Sequence, residues 1–148
     1  IDGGVLYAAG AEKVSGGRWK GVLWKDGQPT YFTEEVGTEV TGLYVKEGKY
    51  IIEGNMTADS GDIVTCIWTE EGVQVISEGM ALCQGTGLAV AGSDIYVAGN
   101  AYDMDYDTYE EIYRSPVWKN GTEMALEVVS SDNFTVWGLA CAFVDTQE

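Results

Sequence analysis

The chain has 148 residues, 45% of them hydrophobic and 11% aromatic, and its 24 acidic against 8 basic residues give a formal charge of −16. That length holds one ordinary domain, the apolar content excludes a disordered chain, and the negative field repels phosphate backbones, which excludes nucleic acid as a partner. No apolar run approaches the roughly 18 residues of a membrane span, and the absence of histidine removes Ser-His-Asp triads, imidazole acid–base catalysis and imidazole metal sites together.

Glycine at 20 positions and proline at only 2, among abundant Val, Ile, Tyr, Trp and Thr, predict an all-β chain of short strands and tight turns. Taken in order, the first strand is Val5-Leu6-Tyr7-Ala8-Ala9-Gly10. Val22-Leu23-Trp24 follows and runs into Asp26-Gly27, a dipeptide that accepts the positive φ angles of a two-residue hairpin. Pro29-Thr30-Tyr31-Phe32 and Gly42-Leu43-Tyr44-Val45 complete a set of four. The set then recurs as Lys49 to Gly54, Cys66-Ile67-Trp68, Val73 to Ile76 and Gly87-Leu88-Ala89-Val90. It recurs again as Asp94 to Gly99, Pro116-Val117-Trp118 with the turn at Asn120-Gly121, Glu123 to Leu126 and Gly138-Leu139-Ala140-Cys141. Gly10, Gly54 and Gly99 stand 44 and 45 positions apart, and a fixed period of that size marks a repeat architecture. The units span approximately 5–42, 43–87 and 88–138 of a single domain, 1–148, with 138–143 as a closing strand. One tryptophan per unit, Trp24, Trp68 and Trp118, is expected to fill space between neighbouring sheets rather than to stack on a ligand.

The Tyr-Val-Ala-Gly strand ending at Gly99 and the Trp-Lys-Asn-Gly turn ending at Gly121 resemble the tandem repeats of exported β-propeller proteins of Gram-negative gut bacteria. The resemblance covers nearly the whole chain. It implies a β-propeller-type fold of four-stranded units, with the Gly-Leu-Ala-Val strand innermost, Tyr-Val-Ala-Gly second, Trp-Lys-Asn-Gly third and the short remaining strand outermost. It also implies export to the periplasm or cell surface; the chain opens on Ile1 rather than Met, and a removed N-terminal segment could carry a lipid anchor. Closed propellers carry about four to eight blades, so three units need completion. A homodimer would form a six-bladed ring, its C-terminal strand pairing with N-terminal strands of the partner. A fragment of a longer propeller would show the same repeats, and a β-trefoil, which closes three four-stranded units within one chain, is the alternative fold.

From glycine to tryptophan the spacing is 14 residues in the first two units and 19 in the third. The extra length, Asn100 to Arg114, is expected to form a loop on one face, where repeat proteins often bind. Asp103, Asp105 and Asp107 alternate with Met104 and Tyr106, and Glu111 follows, so these oxygens are candidate ligands for Ca²⁺. The EF-hand pattern is not met, because Thr108 stands where its glycine belongs and Arg114 where its final acid belongs. A solvated acidic hairpin tip is the plainer reading. On an extended segment Tyr102, Met104 and Tyr106 share one face, with the aspartates on the other. Tyr102, Tyr106, Tyr109 and Tyr113 are therefore candidate ligand-binding residues, since tyrosines beside carboxylates stack on sugar rings or anchor a protein partner. The same tyrosines would otherwise cover their own sheet.

These features point to a non-enzymatic binding or scaffolding module that contacts a glycan or a protein. The alternatives are a carbohydrate-active enzyme using paired carboxylates, and a structural subunit of an envelope assembly. No cofactor other than Ca²⁺ is indicated. Cys66, Cys83 and Cys141 lack metal-ligand spacing and are expected as buried thiols, with one disulfide and one free thiol as the alternative.

Overall fold

The structure is a computed structural model that describes residues 1–77, 82–105 and 107–125. Its described residues form strands and no helix, and they fall into three antiparallel meanders. β1 (Tyr7–Lys13), β2 (Trp19–Lys25) and β3 (Gln28–Val36) make a three-stranded sheet. β4 (Glu39–Lys46), β5 (Lys49–Thr57), β6 (Ile63–Thr69) and β7 (Gly72–Val75) pair in chain order. β8 (Leu82–Ala91), β9 (Asp94–Asp105), β11 (Val117–Lys119) and β12 (Thr122–Met124) do the same, while β10 (Glu110–Arg114) folds back on the far half of β9. One parallel bridge, Ile63 to Leu82, joins the second and third meanders into a nine-stranded sheet. No helix of the described residues is long and apolar enough to cross a membrane.

The turns explain which residues recur. Asp26-Gly27 has φ 47° and 79°, Asn120-Gly121 has 51° and 79°, and Glu47-Gly48 has 55° and 79°. All three are the left-handed pairs of a two-residue hairpin turn, which glycine and the short polar residues tolerate best. Asp26 and Asn120 do more than tolerate it. The Asp26 carboxylate accepts the Leu6 N–H at 2.9 Å and the Asn120 side-chain carbonyl accepts the Ile95 N–H at 2.8 Å, so each turn is tied to the start of the strand two places away.

Strand alternation then sorts the core into two layers. Ile52, Val64, Cys66 and Trp68 bury Leu23 of the first sheet, with Tyr7, Ala9, Phe32 and Val40 around them. On the other side Ile67 and Ile51 meet Ile76, Cys83, Val97, Ala101 and Trp118. The tryptophans occupy one register: Trp24 opposes Ala8, Trp68 opposes Ile52 and Trp118 opposes Val97. Trp68 and Trp118 are each 1% exposed because each covers the meander that precedes it, and Trp68 meets Phe32 edge-on at 5.4 Å. Trp24 has no preceding meander among the described residues and is only half-buried.

Cys66 and Cys83 are buried free thiols, one in each layer. Burial pushes the Cys66 thiol up to about 12 and raises that of Cys83, so neither is a nucleophile near neutrality. Cys141 and the expected closing strand at 138–143 lie outside the described residues.

Candidate functional site

The lengthened segment of the third unit is a two-stranded ribbon, the hairpin that was the plainer of the readings its sequence allows. β9 continues through Asp105, the chain turns, and β10 returns with Glu110 opposite Asp105, Glu111 opposite Met104, Ile112 opposite Asp103 and Tyr113 opposite Tyr102. Ladder pairing satisfies the backbone of an exposed insertion without any core of its own. The turn is built on Asp105: its carboxylate accepts the N–H groups of Asp107 at 2.8 Å and Thr108 at 3.3 Å, and its carbonyl accepts the N–H of Tyr109 at 2.7 Å. Those backbone donors, from Asp107 first and Thr108 second, hold the Asp105 carboxyl below the usual range.

Paired residues share a face of the ribbon, so Tyr102, Met104, Glu111 and Tyr113 lie together on one side. Tyr102 and Tyr113 pack edge to face at 5.3 Å and 61°, and the Tyr113 hydroxyl donates to Glu111 at 2.9 Å. That bond to a carboxylate raises the phenol's pKa. Tyr109 stands at the tip with φ 59° and 78% of its surface exposed, so it supports no packing there. Tyr106 lies outside the described residues.

The acidic candidates are not gathered. Asp103 and Asp105 are on the face opposite Glu111, Asp107 is in the turn, and one oxygen of Asp103 accepts the N–H of Met104 at 2.8 Å. Among the described residues no three acid or thiol side chains stand close enough together to hold a metal ion.

A second cluster, which the sequence reading missed, lies on the seam between the second and third meanders. Glu39 and Thr41 from β4, Asn55 from β5, and Gln84, Gly85 and Thr86 from β8 line an open cleft of about 230 Å³. Asn55 is its clamp: its side-chain carbonyl accepts the Gly85 N–H at 2.7 Å and the Thr65 hydroxyl at 3.4 Å, and its amide reaches Glu39 at 3.2 Å. Asn100 and Ser115 repeat the Asn55–Thr65 pair one unit later, with a hydroxyl bond of 3.0 Å.

Behind the cleft Glu53 is fully buried. The Thr41 hydroxyl donates to its Oε2 at 2.5 Å, while Oε1 has no hydrogen-bond partner among the described residues. Desolvation lifts its carboxyl pKa to about 7, the Thr41 bond opposes that rise and the nearby Glu39 adds to it. The signal was in the repeat: Glu53 holds the place that Ala9 and Ala98 hold in the other units, each directly before the repeat glycine.

Comparison with protein-family models, curated protein sequences and solved structures returned no match.

Proposed function

We propose that the chain is a β-propeller-type repeat domain acting as a non-enzymatic binding module of the bacterial periplasm or cell surface, which grips a glycan or a protein through the β9–β10 ribbon. The observation that carries this reading is the ribbon itself: an exposed insertion into one unit, with Tyr109 bare at its tip and Tyr113 held beside Glu111 along its face. Aromatic faces next to carboxylates suit sugar rings and polar protein surfaces alike. In support of the propeller reading, four-stranded meanders follow one another in chain order and stack through a recurring tryptophan, which favours it over a trefoil. A homodimer would complete the ring. β1 pairs only with β2 among the described residues, so its other edge can accept a strand from a second copy, and light scattering tests this.

The glycosidase alternative needs an acid that touches its substrate. Glu53, the one carboxyl among the described residues raised towards neutrality, is sealed from solvent behind Thr41 and Gly85. A glycan array run beside a broad glycosidase screen separates the readings. Binding without turnover, lost in Tyr109→Gly/Glu111→Gln, supports the module; turnover supports the enzyme instead. Silence in both assays supports a structural subunit.

A further inference from the structure

The contact between the second and third meanders carries a compensated exchange. β4 and β8 share one irregularity, a register shift between Val40 and Gly42 and between Gly85 and Gly87, so Val40 and Gly85 are equivalent. Val40 packs in the apolar cluster that contains Ala9 of the preceding meander. Gly85 instead faces Glu53, and a Cβ built on it would collide with Glu53 Oε1. In the third unit the sequence returns to the first combination, with Ala98 at the Glu53 position and Val136 standing, like Val40 and Gly85, two residues before the unit's innermost-strand glycine. Alanine and valine suffice for this packing elsewhere in the chain, so a buried acid with an orphan oxygen is not demanded by the fold.

We propose that Glu53 is a proton-operated latch between β5 and β8: as a neutral acid it lets the second and third meanders close, and as a carboxylate it pushes β8 away and opens the cleft beneath Asn55. This device is independent of the tyrosine ribbon. The physical cause is the environment of the carboxyl. Among the described residues the single donor to it is the Thr41 hydroxyl, and an ionised Oε1 would be left buried in the seam with no donor facing it. No cation answers that charge from the strands packed against it. β4 presents Glu39, followed along the same face by Tyr44 and Lys46 towards the exposed hairpin end. β5 itself offers Lys49 at that same end, β6 offers the hydroxyls of Thr65 and Thr69, and β8 offers the thiol of Cys83. The chain leaving β3 meets β5 at Gly37, beside Thr57. The charged neighbour that acts on Glu53 is thus another acid, Glu39, which opposes its ionisation.

Cys83 reports on the latch. It lies two residues before Gly85, is fully buried, and its sulfur accepts the Thr65 hydroxyl at 3.5 Å, so it reacts only when β8 moves. Native-state alkylation at Cys83 is followed by peptide mass spectrometry in the wild type and in Glu53→Gln at pH 6 and pH 8. Ionisation of the thiol affects both proteins equally, so the ratio of their rates isolates the opening. The ratio of wild type to variant is expected to rise about tenfold between the two pH values. Should Glu53→Gln fail to fold, Glu53→Ala/Thr65→Ser/Gly85→Val, which rebuilds the third unit's combination, serves as the reference. A ratio unchanged with pH against either reference overturns the latch.

Discussion

Glu53 and Gly85 are matched across the seam between the second and third meanders, the carboxyl of one filling the space into which any side chain at the other would point. The match is steric as well as polar, since a Cβ at position 85 would also stand 2.6 Å from Thr65 Cγ2. Gly85→Ala is therefore expected to destabilise the protein by roughly 1–3 kcal/mol, as overpacking does in close-packed interiors. In a Glu53→Ala/Thr65→Ser background the same change should cost little, because the room resembles that at Ala98 and Ser115. Urea unfolding of the four proteins measures the coupling; additive effects would show that the two sites do not meet.

Stability should fall as pH rises through the acid-to-neutral range. The Glu53 carboxyl titrates at about 7 in the folded chain against an ordinary value of 4.5. Between those values the folded state holds a proton that the unfolded state has released, so each step up in pH favours unfolding, and the effect levels off above about 7. The shift corresponds to roughly 3 kcal/mol in total. Denaturant midpoints taken from pH 4.5 to 8 should show this decline in the wild type and a flatter profile in Glu53→Gln. Equal slopes in both would assign the decline to other groups.

The tryptophans should separate into two classes. Trp68→Ala and Trp118→Ala each empty a fully buried site and are expected to cost roughly 3–5 kcal/mol. Trp24→Ala should cost clearly less, since the ring is already half open. If a second copy covers it, the Trp24→Ala penalty will grow with protein concentration while the other two stay constant, which thermal melts across a dilution series would reveal.

The strands were legible because hydrophobic stretches, left-handed turn dipeptides and tryptophans recurred together: each strand stretch outlined by the repeat up to residue 124 is a strand. Their ends were less so. β3 and β9 run several residues past the apolar stretches that announced them: the β2–β3 ladder is interrupted after Tyr31 and resumes at Val36, and β9 goes on pairing with β10 through Asp103 and Asp105, where no pattern of burial marks the sequence. The sequence offers the ribbon as a hairpin without its register for the same reason. Its facing residues could not be paired without the register, and the register sets Glu111 apart from the aspartates and brings Tyr113 to Tyr102. Glu53 stayed hidden among 24 acids until the position that burial gives it was known, although its departure from alanine in the other two units was already in view.

The turn clamps offer a local test of why Asp and Asn recur. Asn120→Gly keeps the left-handed backbone of φ 51° but loses the bond to the Ile95 N–H, whereas Asn120→Ala loses both. The alanine variant is expected to lose about 1–2 kcal/mol and the glycine variant less than that. Equal losses in the two variants in thermal melts would mean that the bond, and not the backbone, decides the residue.

At the ribbon, structure and recognition should come apart. Tyr109 packs on nothing and its backbone is left-handed, so Tyr109→Gly removes the ring without strain and should change stability by no more than about 0.5 kcal/mol. Tyr113→Ala breaks the edge-to-face pair with Tyr102 and should cost about 1 kcal/mol more. Binding should respond in a different proportion. If the ribbon grips a glycan or protein, an exposed tip tyrosine acting as an anchor is worth roughly 2 kcal/mol, about thirtyfold in affinity, to the complex and almost nothing to the fold. Titration of a glycan or protein ligand selected by array against both variants measures this directly. Tyr109→Gly that melts like the wild type and binds like the wild type would move the recognition surface off the ribbon tip, since no packing role remains for that ring to be hiding.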